Sequence, residues 1–322
     1  MRNGQDHTID LPSDMLAARI AATGGIEVID IARLPVPRPG PGEVLVKVAA
    51  AGVGPWDALI RSGRSGMPQA LPLTLGSDLA GTVLDPGGSD FAVGEAVFGV
   101  TNARFVGAQA EYAVAEANRI AVKAAALSFT EAAAIPVVAV TASTMLFEYG
   151  GLQSGQRVLI HGGAGSVGSL AVQFAKRAGA YVLATCFAKD VELVRSLGAD
   201  EVIDVSAGSF VGAAKYADLV IDTVGGVTQT ASFDIVVPGG RLISSVSAPD
   251  PALAAARHIQ AKWFIVDVTR ARLEAVAQLF RDRHIRILIG EVLQLDQIRL
   301  AHEMLAGKPH RPGKIVIAFG GA

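Results

Sequence analysis

The sequence predicts an α/β protein in which a doubly wound parallel sheet is inserted between two parts of a β-rich domain. Three observations carry this expectation. Short β-branched runs between turn signals fill the first third, continuous apolar runs then alternate with helix-length segments, and two more strand patterns close the chain. At 322 residues the chain has room for about two domains of roughly 150 residues each. Hydrophobic residues make up 51%, charged residues 18%, and the net charge is -2, which argues against disorder and against a basic nucleic-acid surface. No nucleic-acid partner is expected.

The elements follow in order. Residues 1–14 (MRNGQDHTIDLPSD) are polar, lack an apolar signal core and read as a disordered extension, with patterned sequence from Met15. EVIDI, VLVKVAAAGVG, LAGTVL and AVGEAVFGV then read as strands of a barrel or sandwich. PVPRPGPGE is too rich in proline and glycine for regular structure and is a surface turn. Ser128, Thr130 and Glu131 precede an Ala-rich stretch, as at a capped helix start, and mark the boundary. RVLIHG, a helix from about Ser166 to Ala178, YVLATC, a helix from about Lys189 to Leu197 and EVIDV come next. DLVIDTVG, a helical TQTASFDIV, PGGRLISSV and FIVDV continue the alternation, which specifies a parallel sheet covered on both faces. After a helix carrying Leu273, Val276, Leu279 and Phe280, IRILIGEVLQL and GKIVIAF read as strands that complete the first barrel.

HGGAGSVG, His161 to Gly168, fits two chemistries. As Gly163-x-Gly165-x-x-Gly168 it is the phosphate turn of a dinucleotide fold; as Ala164-x-Ser166-x-Gly168 it imitates a hydrolase nucleophile elbow. An elbow needs a later acid and histidine, and none of His258, His284, His302 or His310 follows a strand end with an acidic partner. The dinucleotide reading asks for a ribose-recognising strand end about 20 residues after the first glycine, and YVLATCFAKD supplies it. There Cys186 stands where an NAD-preferring site offers an acid, and Lys189 follows, so a 2′-phosphate is tolerated and NADPH is expected over NADH. Cys186, the one cysteine, excludes an internal disulfide or a multi-cysteine zinc site and suits a reducing, cytoplasmic setting. The run Ala132 to Ala142 holds a proline and is too short for a bilayer, so no membrane span is expected.

From Met15 to Phe319 the chain resembles the zinc-independent quinone oxidoreductases of the medium-chain dehydrogenase/reductase superfamily. The resemblance rests on PGPGEVLVKVAAAGVGPWDALIRSG, LPLTLGSDLAGTV, AEYAVA, IPVVAVTAS, HGGAGSVG, SLGADEVID, DLVIDTVGG, PGGRLISSV and GKIVIAF. It implies a GroES-like catalytic domain from residues 15–129 and 265–322, a Rossmann domain from 130–264, a cofactor cleft between them, and homodimers joined edge to edge. By similarity, Thr141, Gly163, Gly165, Ser166, Val167, Thr185, Lys189, Val224, Val246, Phe264, Ile265, Val266 and Arg311 contact NADPH, and Trp56, Leu59, Ile60, Met67 and Phe264 line the acceptor pocket.

The zinc branch places a cysteine in the stretch aligned with Gly52 to Asp57 and a His-Glu pair in that aligned with Gly76 to Asp78. Those ligands are missing, so neither a metal nor alcohol oxidation is expected. A quinone or an α,β-unsaturated carbonyl accepts hydride directly, which asks for position and an oxyanion donor rather than an obligatory acid or base. Gly54 and Leu59 replace polar residues of some members, which makes the pocket apolar and also fits a non-catalytic NADPH-binding sensor or partner-binding protein. Residues 56–75 hold no tyrosine, against an enoyl-thioester reductase, and Phe187 and Val205 replace residues seen beside the 2′-phosphate, which lowers the NADPH affinity expected.

Overall fold

The computed structural model describes residues 11–67, 69–214, 216–281 and 284–320. The first ten residues of the expected extension lie outside the described residues, and regular structure begins with β1 at Asp14. The first part contains β1 (Asp14–Ile20), β2 (Ile29–Pro35), β3 (Glu43–Val53), α1 (Pro55–Arg61), β4 (Leu73–Thr74), β5 (Asp78–Asp85), β6 (Ala96–Val100), β7 (Tyr112–Glu116) and β8 (Ile120–Val122). Next come α2 (Phe129–Ala133), α3 (Pro136–Ser143) and a π-helical turn over Thr144–Tyr149. The alternating part is β9 (Arg157–Ile160), α4 (Ser166–Arg177), β10 (Tyr181–Cys186), α5 (Val191–Ser196), β11 (Glu201–Asp204), β12 (Ala217–Asp222), α6 (Gly226–Ser232), β13 (Val236–Ser244), α7 (Pro251–Ala256) and β14 (Gln260–Trp263). The chain closes with α8 (Arg270–Leu279), β15 (Ile289–Gln294), α9 (Ile298–Leu305) and β16 (Lys314–Ala318).

The alternating part forms one parallel six-stranded sheet in the order β11-β10-β9-β12-β13-β14. The order reverses between β9 and β12, which opens a crevice at their carboxyl ends, where ligands of open α/β sheets bind. A seven-stranded sheet runs β15-β16-β3-β5-β6-β8, with β7 also on β3. Because β16 pairs antiparallel with β3, Ile315 opposite Val53, the last strand does return to the first barrel. Helix α3 is buried from Pro136 to Ala142, which explains its unbroken apolar sequence, and it packs on both α4 and α8. Ser128 caps α2 as expected: its hydroxyl accepts from the Glu131 amide while the Glu131 carboxylate accepts from the Ser128 amide.

Three expected elements are shifted. FIVDV is irregular and the sheet's last strand is β14, one step earlier, because Arg119 Nη1 donates to the Val268 carbonyl and the Asp267 carboxylate and ties this stretch to the barrel. The helix in TQTASFDIV stops at Ser232, after which Phe233 and Ile235 are buried on the way into β13. IRILIGEVLQL forms a strand only from Ile289: the Arg286 amide and carbonyl are taken by the Gln173 side chain on α4.

Candidate cofactor and acceptor site

The turn between β9 and α4 is built on absent side chains. Gly162 has φ +70°, a left-handed conformation, and a Cβ there would lie 2.8 Å from Thr223 Oγ1. A Cβ on Gly168 would lie 2.1 Å from the Gly162 carbonyl oxygen, so only glycine lets α4 pack against its own turn. Gly163 N–H donates to the Thr185 carbonyl (2.8 Å) and Gly165 N–H to the Gly162 carbonyl (2.9 Å). The first intrahelical bond is Ser169 N–H to Gly165 O, so the Ser166, Val167 and Gly168 amides precede it at the positive end of a 12-residue helix. This cradle at the sheet's reversal point fits a diphosphate. Sequence reasoning took Gly163 as the first glycine of the turn, but the strained position is Gly162; the Gly-Gly pair was the available signal.

The same turn excludes the hydrolase reading. Among the described residues no hydrogen bond joins the Ser166 hydroxyl to a histidine, and His161 has both ring nitrogens engaged, with Thr185 Oγ1 (3.1 Å) and Ser232 Oγ (2.9 Å). Ser232 Oγ donates onward to the Thr228 carbonyl (2.7 Å), so it must accept from His161 Nε2–H. Nδ1 is then the acceptor for the Thr185 hydroxyl, whose oxygen accepts from the Gly162 amide (3.3 Å). This chain of bonds ties β9, β10 and α6 to the turn. Thr185, expected to touch the cofactor, is buried and acts here through the turn.

A second buried group shapes the neighbouring loops. Asp222, at the end of β12 and fully buried, accepts from the Val224 and Gly225 amides (3.0 and 2.8 Å), Gln229 Nε2 (2.9 Å) and Ser244 Oγ (2.8 Å). It therefore holds together the loops that carry Val224 and Val246, both half-exposed. Sequence reasoning missed Asp222, although an acid ending an apolar strand just before TVGG was a legible sign.

The remaining expected cofactor residues are distributed as follows. Lys189 lies in a short helical turn after β10, with Phe187 exposed beside it. Thr141 is buried in α3, its hydroxyl donating to the Val137 carbonyl. Phe264 packs edge-on against Tyr149, with ring centroids 4.9 Å apart, while Ile265 is exposed and Val266 half-buried. Arg311 sits between α9 and β16 and pairs with Glu291 on β15 at 3.5 Å. A depression lined by Gln173, Lys176, Arg177 and Arg286 lies toward the far end of α4, about 10–17 Å along the helix from the turn, and is separate from this crevice.

The residues expected to line the acceptor pocket lie in the barrel part of the chain. Trp56 Nε1 donates to Ser77 Oγ (2.9 Å), and its ring lies over the Lys314 ammonium at 4.1 Å. Phe105, a non-glycine residue at φ +61°, packs near Trp56 with centroids 6.4 Å apart. Its loop is pinned by Thr101 Oγ1 and Asn102 Nδ2, both donating to the Val106 carbonyl. Phe105 was missed because nothing in NARFVG announces a left-handed phenylalanine. Leu59 is exposed and Met67 half-buried in the loop after α1, whereas Ile60 is 2% exposed and part of the barrel core.

Beneath Trp56 three charged side chains are buried together. Lys314 pairs with Asp78 at 2.8 Å, and Asp78 also accepts from the Val137 amide (3.1 Å). Asp57 Oδ2 accepts from the Gly54 amide (2.8 Å), while its Oδ1 has no aligned donor among the described residues. Burial pushes the Asp57 carboxyl up from 3.8 to about 7 against the pull of Lys314, and burial also raises Asp78.

These burials set opposing pH dependences of stability. Burial lowers His161 from 6.5 to about 4, and lowers His302 to about 4 with help from the Arg61 charge. The unfolded chain takes up these protons below about 6.5 and the folded chain only near 4. Each histidine therefore contributes roughly 3 kcal/mol that is complete above that range and lost through it as the pH falls. Asp57 acts oppositely: its contribution is present below 3.8 and lost as the pH rises toward 7. On acidification from pH ~6.5 to ~4.5 the Asp57→Asn variant will lose roughly 2 kcal/mol more stability than the parent, measured by urea unfolding at both values.

Comparison with known proteins agrees with this architecture. Residues 40–126 match the alcohol dehydrogenase GroES-like domain, and residues 197–317 match a family described as zinc-binding dehydrogenase. A quinone-oxidoreductase homolog of Spinacia oleracea chloroplasts is 30% identical over 91% of this chain and 95% of its own. The 2-methylene-furan-3-one reductase of Solanum lycopersicum is 34% identical over 76% of this chain and 65% of its own. Mammalian relatives named NAD(P)H oxidoreductase RTN4IP1 are spanned over only 54–55% of their length. The structure of the quinone oxidoreductase from Coxiella burnetii superposes with a TM-score of 0.89 at 29% identity, covering 95% of this chain and 100% of that one. With a GroES-like barrel, a Rossmann sheet and a glycine cradle at its reversal point, the chain belongs to the quinone oxidoreductase family of the medium-chain dehydrogenase/reductase superfamily.

Proposed function

We propose that the protein transfers hydride from NADPH to a quinone or an α,β-unsaturated carbonyl, without a metal. The observation that carries this is the glycine cradle of Gly162 to Gly168 at the reversal point of the parallel sheet, with the Trp56 and Phe105 pair on the barrel as the expected acceptor wall. The reduced nicotinamide supplies the hydride when bound. The protein's own residues supply position: the turn anchors the diphosphate, the Asp222-held loops border the crevice, and the aromatic wall excludes water from the acceptor. Reduction without zinc is supported by the donor set. Gly54 and Ser77 offer no strong metal ligand, and the Asp78 carboxylate is occupied by Lys314. Among the described residues no group of three or more His, Cys, Asp or Glu side chains is placed to hold a metal. NADPH oxidation followed with 1,4-benzoquinone and a panel of enones tests the reading; cofactor binding without any turnover would instead favour a sensor or partner-binding role.

The NADPH preference rests on Lys189 and on the lack of an acid at Cys186. It is tempered by Asp190 and Asp204, whose charges, after burial, help raise the Cys186 thiol to about 11. The Lys189→Glu variant will bind NADPH roughly tenfold more weakly while its NADH affinity holds or improves, read by fluorescence titration with both nucleotides. The reading also includes a homodimer through β14, one of the two edge strands of the six-stranded sheet, and a cytoplasmic location. No described helix is long and apolar enough to cross a membrane.

A further inference from the structure

We propose that Asp57, Asp78 and Lys314 form a positioning unit that sets the Trp56 wall of the acceptor pocket, and that the unit works only while Asp57 carries a proton. The proposal rests on the hydride-transfer reading above and adds residues that reading does not use. Its first support is charge arithmetic. Asp57 and Asp78 are 0% exposed and Lys314 is 3% exposed, so two carboxylates share one ammonium out of reach of water. Lys314 lies 2.8 Å from Asp78, which leaves Asp57 without a counter-charge of its own. A buried, uncompensated carboxylate is costly, and the neutral acid removes that cost.

The second support is connectivity. Asp57 follows Trp56 directly in α1, and its carboxyl caps that helix through the Gly54 amide. Lys314, on β16, stands under the indole at 4.1 Å, and Ser77, next to Asp78 at the start of β5, accepts the indole N–H. Asp57 is thus adjacent to Trp56 in the chain, Lys314 touches its ring, and Asp78 neighbours the serine that accepts its N–H. Gly52 has no room for a side chain here, because a Cβ would lie 2.9 Å from both Asp78 Cβ and Lys314 Cε. The ammonium is packed against the indole, so a displacement of Lys314 is passed to Trp56. The charged groups acting on Asp57 are Lys314 from β16 and Asp78 from β5; within its own segment and the loop before β5 it meets the Gly54 and Gly76 amides. Burial brings the carboxyl up to about 7.

Loss of the proton leaves two buried anions on one cation. Lys314 is then drawn between them, and the indole it supports shifts. The consequence is a weaker hold on the acceptor above neutral pH with no matching change in cofactor affinity, since the nucleotide cradle lies on the other sheet.

The test uses the full chain carrying Trp263→Phe, which leaves Trp56 as the single indole of the two in the sequence. Trp56 emission is titrated from pH ~5 to ~9 without nucleotide. The expected result is one transition near pH 7 that is absent in Asp57→Asn. A flat titration of the parent, or a transition that survives Asp57→Asn, overturns the proposal. In steady state the KM for 1,4-benzoquinone should rise about tenfold or more through the same transition, and stay level in Asp57→Asn, while the NADPH Kd stays constant. A KM independent of pH in the parent, or an NADPH Kd that moves in parallel, likewise overturns it. Lys314→Arg, which keeps charge and ring contact, should retain the transition; Lys314→Met should shift or abolish it, and if Met at this position prevents folding, the arginine variant and Asp57→Asn decide. Should no acceptor oxidise NADPH at all, the hydride-transfer reading fails while the fluorescence titration still judges the unit.

Discussion

A Gly168→Ala substitution will weaken NADPH binding by about a hundredfold, with acceptor reduction falling in step, because one methyl group cannot be placed where the turn meets its helix. The added Cβ would stand 2.1 Å from the Gly162 carbonyl oxygen and 3.1 Å from Gly163 Cα. Both neighbours are backbone, so neither can swing aside as a long side chain would. The turn must move instead. Its position is fixed by Gly163 N–H on the Thr185 carbonyl and by the Thr223 hydroxyl on the His161 carbonyl, so movement breaks bonds on both sides of the crevice. The leading amides of α4 then no longer converge on one point, and the diphosphate loses several charge-assisted bonds together. Fluorescence titration with NADPH measures the loss. Gly165→Ala is the internal control: a Cβ there meets only the Gly162 carbonyl, at 3.2 Å, and will cost far less. Equal losses in the two variants would show that the helix start, and not the close approach at Gly168, limits binding.

The contrast between these glycines shows what the sequence could and could not disclose. Spacing identified the turn, because strand, glycines and helix recur in that order wherever backbone must approach a phosphate. Spacing did not say which glycine is left-handed, since that depends on Thr223 standing across from Gly162, from the loop after β12 some 60 residues later. The parallel sheet was legible for a similar reason. Its strands are buried on both faces and read as unbroken apolar runs, as in RVLI and DLVI. FIVDV has the same composition yet forms no strand, because Arg119 on the barrel captures it, and no local pattern records a partner that distant. The Asp57, Asp78 and Lys314 cluster was hidden the same way. Asp57 and Asp78 were visible as acids in motif stretches, but their common burial needed β16 to return beside β3.

Asp222→Ala is expected to destabilise the protein by about 3–5 kcal/mol and to abolish measurable NADPH binding, an effect no single cofactor-facing side chain should match. The carboxylate accepts four hydrogen bonds in a fully buried position: two from backbone amides, one from an amide side chain and one from a hydroxyl. Removing it takes the acceptor from all four donors, although Gln229 Nε2 still reaches the Ser247 carbonyl (2.9 Å), and a buried donor without an acceptor costs more than the net worth of the bond that satisfied it. The damage is directed at the crevice. Two of the donors belong to Val224 and Gly225 in the loop after β12, while Ser244 closes β13, where its hydroxyl in turn accepts from the Val246 and Ser247 amides. Gly225, at φ +77°, takes a left-handed conformation open to glycine, and its amide points to the Asp222 carboxylate. Thermal unfolding with and without saturating NADPH separates the two consequences. The parent will gain stability from the nucleotide, and the variant will unfold earlier and gain nothing. Asp222→Asn is the intermediate case: its one acceptor oxygen can still serve the Val224 and Gly225 amides that share Oδ1, but its N–H₂ faces the Gln229 and Ser244 donors, so it should fall between the two. If Asp222→Ala kept a parental NADPH-dependent rise in Tm, the loops would be held by their backbone alone and the carboxylate would be a passenger.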